Sequence, residues 1–85
     1  MNRSERIHMT LTKVFTPSVL NVIDDSHKHA GHAGAQPEGE THYTVEIVAD
    51  AFEGLSRVAV QRAVMEALRE EFDSGLHALS IKARS

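Results

Sequence analysis

The spacing of apolar residues along the chain changes between the period of a helix and the period of a strand, and this change divides the sequence into elements. The first apolar stripe has helical spacing and consists of Ile7, Leu11, Val14 and Phe15. Asn2 or Ser4 can cap such a helix, since both side chains accept hydrogen bonds from backbone N–H groups. Pro17 is expected to end it near Phe15, because the residue before a proline avoids the helical region.

Two segments on either side of a polar stretch have the composition of β-strands. Residues 19–25 are rich in β-branched apolar side chains before they turn acidic. In residues 42–49 every second position from Tyr43 to Ile47 is apolar, which indicates one buried face. We expect the two strands to pair antiparallel, and Phe52 to be the buried anchor of the connector that follows.

A longer helix and a last strand are predicted in the C-terminal part of the chain. Ser56 can cap a helix that begins at Arg57 and reaches about Asp73. Gly75 suits the turn beyond the end of this helix. The apolar stripe of the helix is Val60, Val64, Ala67, Leu68 and Phe72. Residues 77–83 alternate as a strand, and a strand–helix–strand unit favours parallel pairing through a right-handed crossover.

These elements predict an α+β fold in the order α-β-β-α-β, with a three-stranded mixed sheet and both helices packed on one face. At 85 residues the chain is expected to form a single domain over residues 1–85. No run approaches the roughly 18 apolar residues of a membrane helix, and the N-terminus lacks the continuous apolar stretch of a secretory signal. We therefore expect no membrane partner and a cytoplasmic location.

The polar segment over residues 26–42 carries most of the candidate chemistry. It contains no apolar residue larger than alanine and four of the six histidines, His27, His29, His32 and His42. Loops of this length are usually either functional or disordered, and from the residues alone a linker and a metal site both stay open. Neutral imidazole is a common metal ligand. His77 opens the last strand, so its backbone should be held and it could share a metal with the loop. The alternative is a strand-edge histidine that is hydrogen-bonded to backbone.

Other classes of function find little support in the sequence. The absence of cysteine excludes disulfides, thiol nucleophiles and any thiolate site on this chain. There is no phosphate loop, nucleophile elbow or zinc-protease motif. The adjacent carboxylates, Asp24–Asp25 and Glu70–Glu71, are expected to be solvated, so an enzyme is not predicted. The net charge of −3 with nine Lys and Arg argues against a dedicated nucleic-acid binder.

Four runs of the sequence, taken together, resemble the BolA family. They are VLNVIDDSHKHAGH, GETHYTVEIV, FEGLSRVAVQRAVMEAL and GLHALSIKAR, in this order between about Ile7 and Arg84. The form DDSHKHAGHAGA is similar to the histidine loop of bacterial members rather than to the cysteine loop of others. The resemblance implies a fold like that of the class II KH domain, and a binding partner rather than an enzyme.

The resemblance also implies a shared iron–sulfur centre. BolA-like proteins pair with monothiol glutaredoxins of the CGFS type, and the heterodimer can hold a bridging 2Fe-2S cluster ligated by glutaredoxin cysteine, glutathione and the BolA-like chain. On this chain the ligands would be His77 and His29, while His32 and His27 are close enough to His29 to substitute for it. Because imidazole coordinates in its neutral form, cluster binding should weaken as the pH falls through about 6. The free chain is expected to be a monomer.

A second function that the resemblance implies is DNA binding in a transcriptional regulator. It would use the KH-like fold and basic residues of the second helix, here Arg57 and Arg62. The chain has Val60, Gln61 and Arg62 where the family helix commonly carries Arg-His-Arg. This departure and the acidic net charge favour the iron–sulfur function. A third alternative is an apo adaptor that binds glutaredoxin without a cluster.

Overall fold

The computed structural model of the chain describes residues 2–25 and 41–85. Its elements are α1 (Arg3–Phe15), β1 (Val19–Asp24), β2 (His42–Val48), α2 (Arg57–Ala67), α3 (Arg69–Asp73) and β3 (Ala78–Arg84), with one 3₁₀ turn at Asp50–Phe52 before α2. The predictions made for His27, His29 and His32 lie outside the described residues. The α+β class and the order of the predicted elements are confirmed.

The three strands form one mixed sheet in the order β1-β2-β3, in which β1 and β2 are antiparallel and β2 and β3 are parallel. Both pairings were predicted. Tyr43, Val45 and Ile47 on the central strand are at most 2% exposed, because they point into the layer between sheet and helices. The opposite face stays open, as the exposed Val19 and Ile23 on β1 show.

Helix α1 begins and ends where the sequence predicts. The side chain of Asn2, rather than that of Ser4, accepts the capping hydrogen bond from the backbone N–H of Glu5. Pro17 follows Thr16, which leaves the right-handed helical region by adopting a left-handed conformation with φ 47°.

The buried face of α1 differs from the prediction at one position. Ile7 and Leu11 are fully buried, but Val14 is 54% exposed. In the last turn it is Phe15 that reaches the core, with its ring centroid 5.0 Å from that of Phe52. The ring of Phe15 thus makes the core contact that the helical spacing also allowed for Val14.

The predicted long helix is broken into α2 and α3 at Leu68. The N–H of Leu68 donates to the carbonyl oxygens of both Val64 and Met65, which tightens the turn, and the backbone of Leu68 leaves the helical region. Leu68 is also 1% exposed, so the break lies in the core. The apolar stripe of the prediction is otherwise confirmed, and Ser56 caps α2 by accepting a hydrogen bond from Ala59.

Candidate metal-binding site at one end of the sheet

His77 lies at the end of the sheet where β3 begins. It is exposed and immediately precedes β3, which begins at Ala78, one residue later than predicted. Its backbone N–H donates to the carbonyl oxygen of Thr41 at 2.8 Å, and the N–H of Ala78 donates to the same oxygen at 3.1 Å. The backbone of His77 is therefore held, as predicted, while its side chain faces solvent.

A second histidine, His42, lies beside it. The ring centroids of His42 and His77 are 6.1 Å apart at an interplanar angle of 62°. Nδ1 of His42 is 2.8 Å from the hydroxyl oxygen of Thr41, a hydrogen bond that orients the ring. Sequence reasoning did not name His42 among the candidate ligands and missed this pairing. The signal available was that both histidines open strands of a parallel pair.

The described ends of the histidine-bearing segment meet at the same end of the sheet. The N–H of Asp25 donates to the carbonyl oxygen of His42 at 2.8 Å, and the hydroxyl of Thr44 donates to the carboxylate of Asp25. Asp24 and Asp25 are half-buried, so the prediction of two solvated carboxylates is wrong here. Antiparallel β1–β2 pairing and parallel β2–β3 pairing bring the last residue of β1 and the first residues of β2 and β3 together.

A buried charge cluster supports the turn that precedes His77. Nη1 of Arg3 donates to Oε1 of Glu71 at 2.9 Å and to the hydroxyl of Ser74 at 2.8 Å. The guanidinium of Arg6 also contacts both oxygens of Glu71, with Nε 3.0 Å from Oε2. The N–H of Leu76 then donates to the backbone oxygen of Glu71 at 2.9 Å.

Glu71 was expected to be solvated, and this prediction is wrong. Glu71 is 8% exposed, whereas its neighbour Glu70 is exposed as predicted. The reason is a tertiary contact, because the guanidinium groups of Arg3 and Arg6 on α1 contact its carboxylate. No local pattern around Glu71 indicates a partner that is 68 residues away in sequence, such as Arg3.

The described residues at this end of the sheet do not by themselves supply a complete set of metal ligands. Within residues 2–25 and 41–85 no group of three or more His, Asp or Glu side chains is placed to hold a metal ion. His42 and His77 are the imidazoles that the described chain supplies at this end. A cluster bound here would need further donors, either from residues 26–40 or from another molecule.

The predicted nucleic-acid residues, Arg57 and Arg62, lie on α2 and are both exposed. The structure brings them to the same groove, which Val58 and Met65 also line. In the part of the chain that the structure describes, no helix is long and apolar enough to cross a membrane.

The fold and site define a class of protein: a small α+β domain with two neighbouring histidines at one end of a mixed sheet. The profile described as BolA-like protein matches residues 11–85. The uncharacterized protein in the cobS 5′ region of Sinorhizobium sp is 46% identical over 83 residues, which cover 96% of this chain and 89% of that protein. The chain belongs to the BolA-like family.

Relatives of known structure share the fold closely. The BolA domain of SufE1 from Arabidopsis thaliana has a TM-score of 0.88 at 45% sequence identity, over 99% of this chain and 92% of that chain. Protein BOLA1, chloroplastic, of the same plant is 45% identical over 86 residues, 99% of this chain and 54% of the relative. This chain thus spans about half the length of that relative. Because the relative is named as chloroplastic, the cytoplasmic location stays a prediction.

Proposed function

We propose that this chain is a non-enzymatic partner of a monothiol CGFS glutaredoxin and supplies histidine ligands to a bridging 2Fe-2S cluster in iron–sulfur trafficking. Glutaredoxin cysteine and glutathione would supply the other ligands. The observation that carries the proposal is the position of His77. It is exposed, its backbone is fixed on Thr41, and it lies at the sheet end where both described ends of the histidine-bearing segment, Asp25 and Thr41, are anchored.

A fixed backbone at His77 favours coordination, because less conformational entropy is lost when the ligand binds. The second ligand is assigned to His29, with His32 and His27 as alternatives. His29 is four positions after Asp25, so chain connectivity limits the distance between their Cα atoms to about 14 Å. This limit keeps His29 within reach of the sheet end.

Histidine ligation determines what such a centre is suited to do. Imidazole in place of thiolate on one iron raises the reduction potential of a 2Fe-2S cluster. A cluster shared between two proteins and glutathione is suited to handover and to iron or redox sensing rather than to permanent electron transfer. This chain contributes the binding surface and the orientation of His77.

The proposal is tested by reconstituting the cluster with a monothiol glutaredoxin and glutathione, and by following visible absorption and circular dichroism. His77→Ala should change the spectrum of the heterodimer and reduce its cluster content. His8→Ala, which removes an exposed histidine from α1, is the matched control and should leave both unchanged. An unchanged His77→Ala spectrum would show that the ligand assignment is wrong. A complex without visible absorption would identify an apo adaptor instead.

The second ligand is tested by three single variants in the same reconstitution. His29→Ala should lower the cluster content more than His27→Ala or His32→Ala. No loss in any single variant would mean either that the loop histidines substitute for one another or that the loop lies outside the ligand set. A triple alanine variant at His27, His29 and His32 distinguishes the two, because it loses the cluster in the first case and keeps it in the second.

The nucleic-acid alternative rests on Arg57 and Arg62, which are both exposed. Specific DNA binding should survive competitor DNA and weaken with salt in proportion to the number of phosphate contacts. Arg62→Glu should then reduce the salt slope. If the chain shows no binding at low salt, this alternative is wrong.

A further inference from the structure

Helix α2 carries an apolar and basic surface on the side that faces away from the core. Val60 and Val64 are buried against the sheet, whereas Val58 and Met65 on the other side are 59% and 41% exposed. Together with Arg57, Arg62 and Arg69, these two side chains form what we call the arginine–methionine face. Val58, Arg62 and Met65 follow one another on α2 at spacings of four and three, and Arg69, the first residue of α3, lines the same groove.

This face lines an open groove of about 990 Å³. Burial in the core does not account for Val58 and Met65, because both lie opposite the buried stripe. Methionine adapts its shape to different apolar surfaces, which suits a binding site more than a packed core. Among the described residues, neither His42 nor His77 lines the groove, so it is separate from the pair at the sheet end.

The charge of the face is opposite to that of the chain. Three arginines and one glutamate line the groove, on a protein with a net charge of −3. Glu66 pairs with Arg69 at 3.2 Å, and both side chains are 71% exposed. Within residues 2–25 and 41–85, the side chains of Arg57 and Arg62 make no hydrogen bond or ion pair. Their guanidinium groups are available to an incoming anion.

We infer that the arginine–methionine face binds an amphipathic, acidic segment of a partner protein, with apolar side chains on Val58 and Met65 and carboxylates on Arg57 and Arg62. Such a segment, laid into a groove as a helix, presents apolar anchors and charges at the spacing that this face complements. Charge complementarity of this kind favours the correct partner and speeds its association.

Nucleic acid fits the face less well. Nucleic-acid binding is driven by Lys and Arg side chains that displace the counterions of the phosphates. Val58 and Met65 lie between the arginines and displace no counterions. Single-stranded nucleic acid is held by stacking on aromatic rings, and the aromatic ring that lines the groove, Phe72, is half-buried against the core. A second copy of the chain also fits poorly, because a symmetric contact would bring together two faces that each carry a net positive charge.

The inference is tested with the full chain and two synthetic helical peptides that share a leucine stripe but are flanked by glutamates in one and by lysines in the other. Binding is followed by fluorescence anisotropy, and the contact surface is mapped by amide chemical shifts. The glutamate peptide should bind and shift the resonances of α2, and the lysine peptide should not. Duplex DNA is the competitor, and sedimentation of the free chain reports self-association.

Two variants of the face separate the contributions of charge and of apolar contact to peptide binding, and a third variant is the control. Arg62→Glu should weaken binding of the glutamate peptide by about tenfold or more. Met65→Ala should weaken it by about fivefold. Arg84→Glu, which reverses an exposed charge on β3, should leave it unchanged.

The inference would be overturned by failure of the glutamate peptide to bind, by equal binding of both peptides, or by chemical-shift changes away from α2. Displacement of the peptide by DNA at lower concentration would assign the face to nucleic acid. Self-association that Arg62→Glu abolishes would assign it to a second copy. The assay contains no iron and no glutaredoxin, so its outcome is independent of the proposed cluster function.

Discussion

Removal of the Glu71 carboxylate should destabilise the fold more than any change at an exposed acidic residue. The side chains of Arg3 and Glu71 are 10% and 11% exposed, and their charged atoms are 2.9 Å apart. Glu71→Ala would remove the carboxylate that the buried guanidinium of Arg3 contacts. Breaking a buried ion pair in this way typically costs about 3–5 kcal/mol.

This loss is large compared with the stability of so small a domain. An 85-residue domain is expected to have a free energy of unfolding of roughly 4–13 kcal/mol. With a urea m-value of about 1 kcal/mol per molar, the midpoint should fall by roughly 3–5 M. Glu71→Gln keeps an oxygen that accepts from Arg3 and should lose less, about 1.5–3 kcal/mol.

Urea denaturation followed by far-ultraviolet circular dichroism measures both losses. Glu70→Ala is the matched control, because Glu70 is the exposed neighbour of Glu71, and it should change stability by less than about 0.5 kcal/mol. Leucine at both Arg3 and Glu71 should recover part of the loss, since no buried charge is then left unpaired. If Glu71→Ala and Glu70→Ala lose the same small amount, the buried pair does not stabilise the fold.

Three further substitutions test local features of the backbone by the same unfolding measurement. Ser56→Ala removes the hydrogen bond that Ala59 donates to the cap and should cost about 1 kcal/mol; no loss would mean that another group caps α2. Gly75→Ala should cost more than Gly54→Ala. Both glycines have positive φ, but a Cβ at Gly75 would lie 3.2 Å from Nη2 of Arg3, whereas nothing lies within 4 Å of one at Gly54. Equal losses would show that the side chain of Arg3 moves away from the added Cβ at little cost in stability.

The fold could be predicted because its elements are specified by local patterns. Alternation from Tyr43 to Ile47 predicts a strand with one buried face, and all of its apolar positions are buried. Ser56 and Pro17 mark helix boundaries through backbone chemistry that acts over a few residues. The parallel pairing of β2 with β3 follows from the strand–helix–strand order, and it is observed.

The contacts that sequence reasoning missed depend on residues far apart in the chain. Glu71 is buried because Arg3 and Arg6 reach it, and their spacing from it carries no periodic signal. His42 meets His77 only because the register of a parallel pair sets His42 opposite Ala78. The residue types of the candidate site could thus be predicted, but their mutual geometry required the tertiary structure.

The most direct test of the proposed function is detection of a nitrogen ligand on the cluster itself. In the reduced heterodimer, pulsed electron paramagnetic resonance should show strong hyperfine coupling to imidazole nitrogen. The coupling should change when this chain alone carries ¹⁵N-labelled histidine, and part of it should disappear in His77→Ala but persist in His8→Ala. A cluster without coupled nitrogen, or with the same coupling in His77→Ala, would contradict ligation by His77.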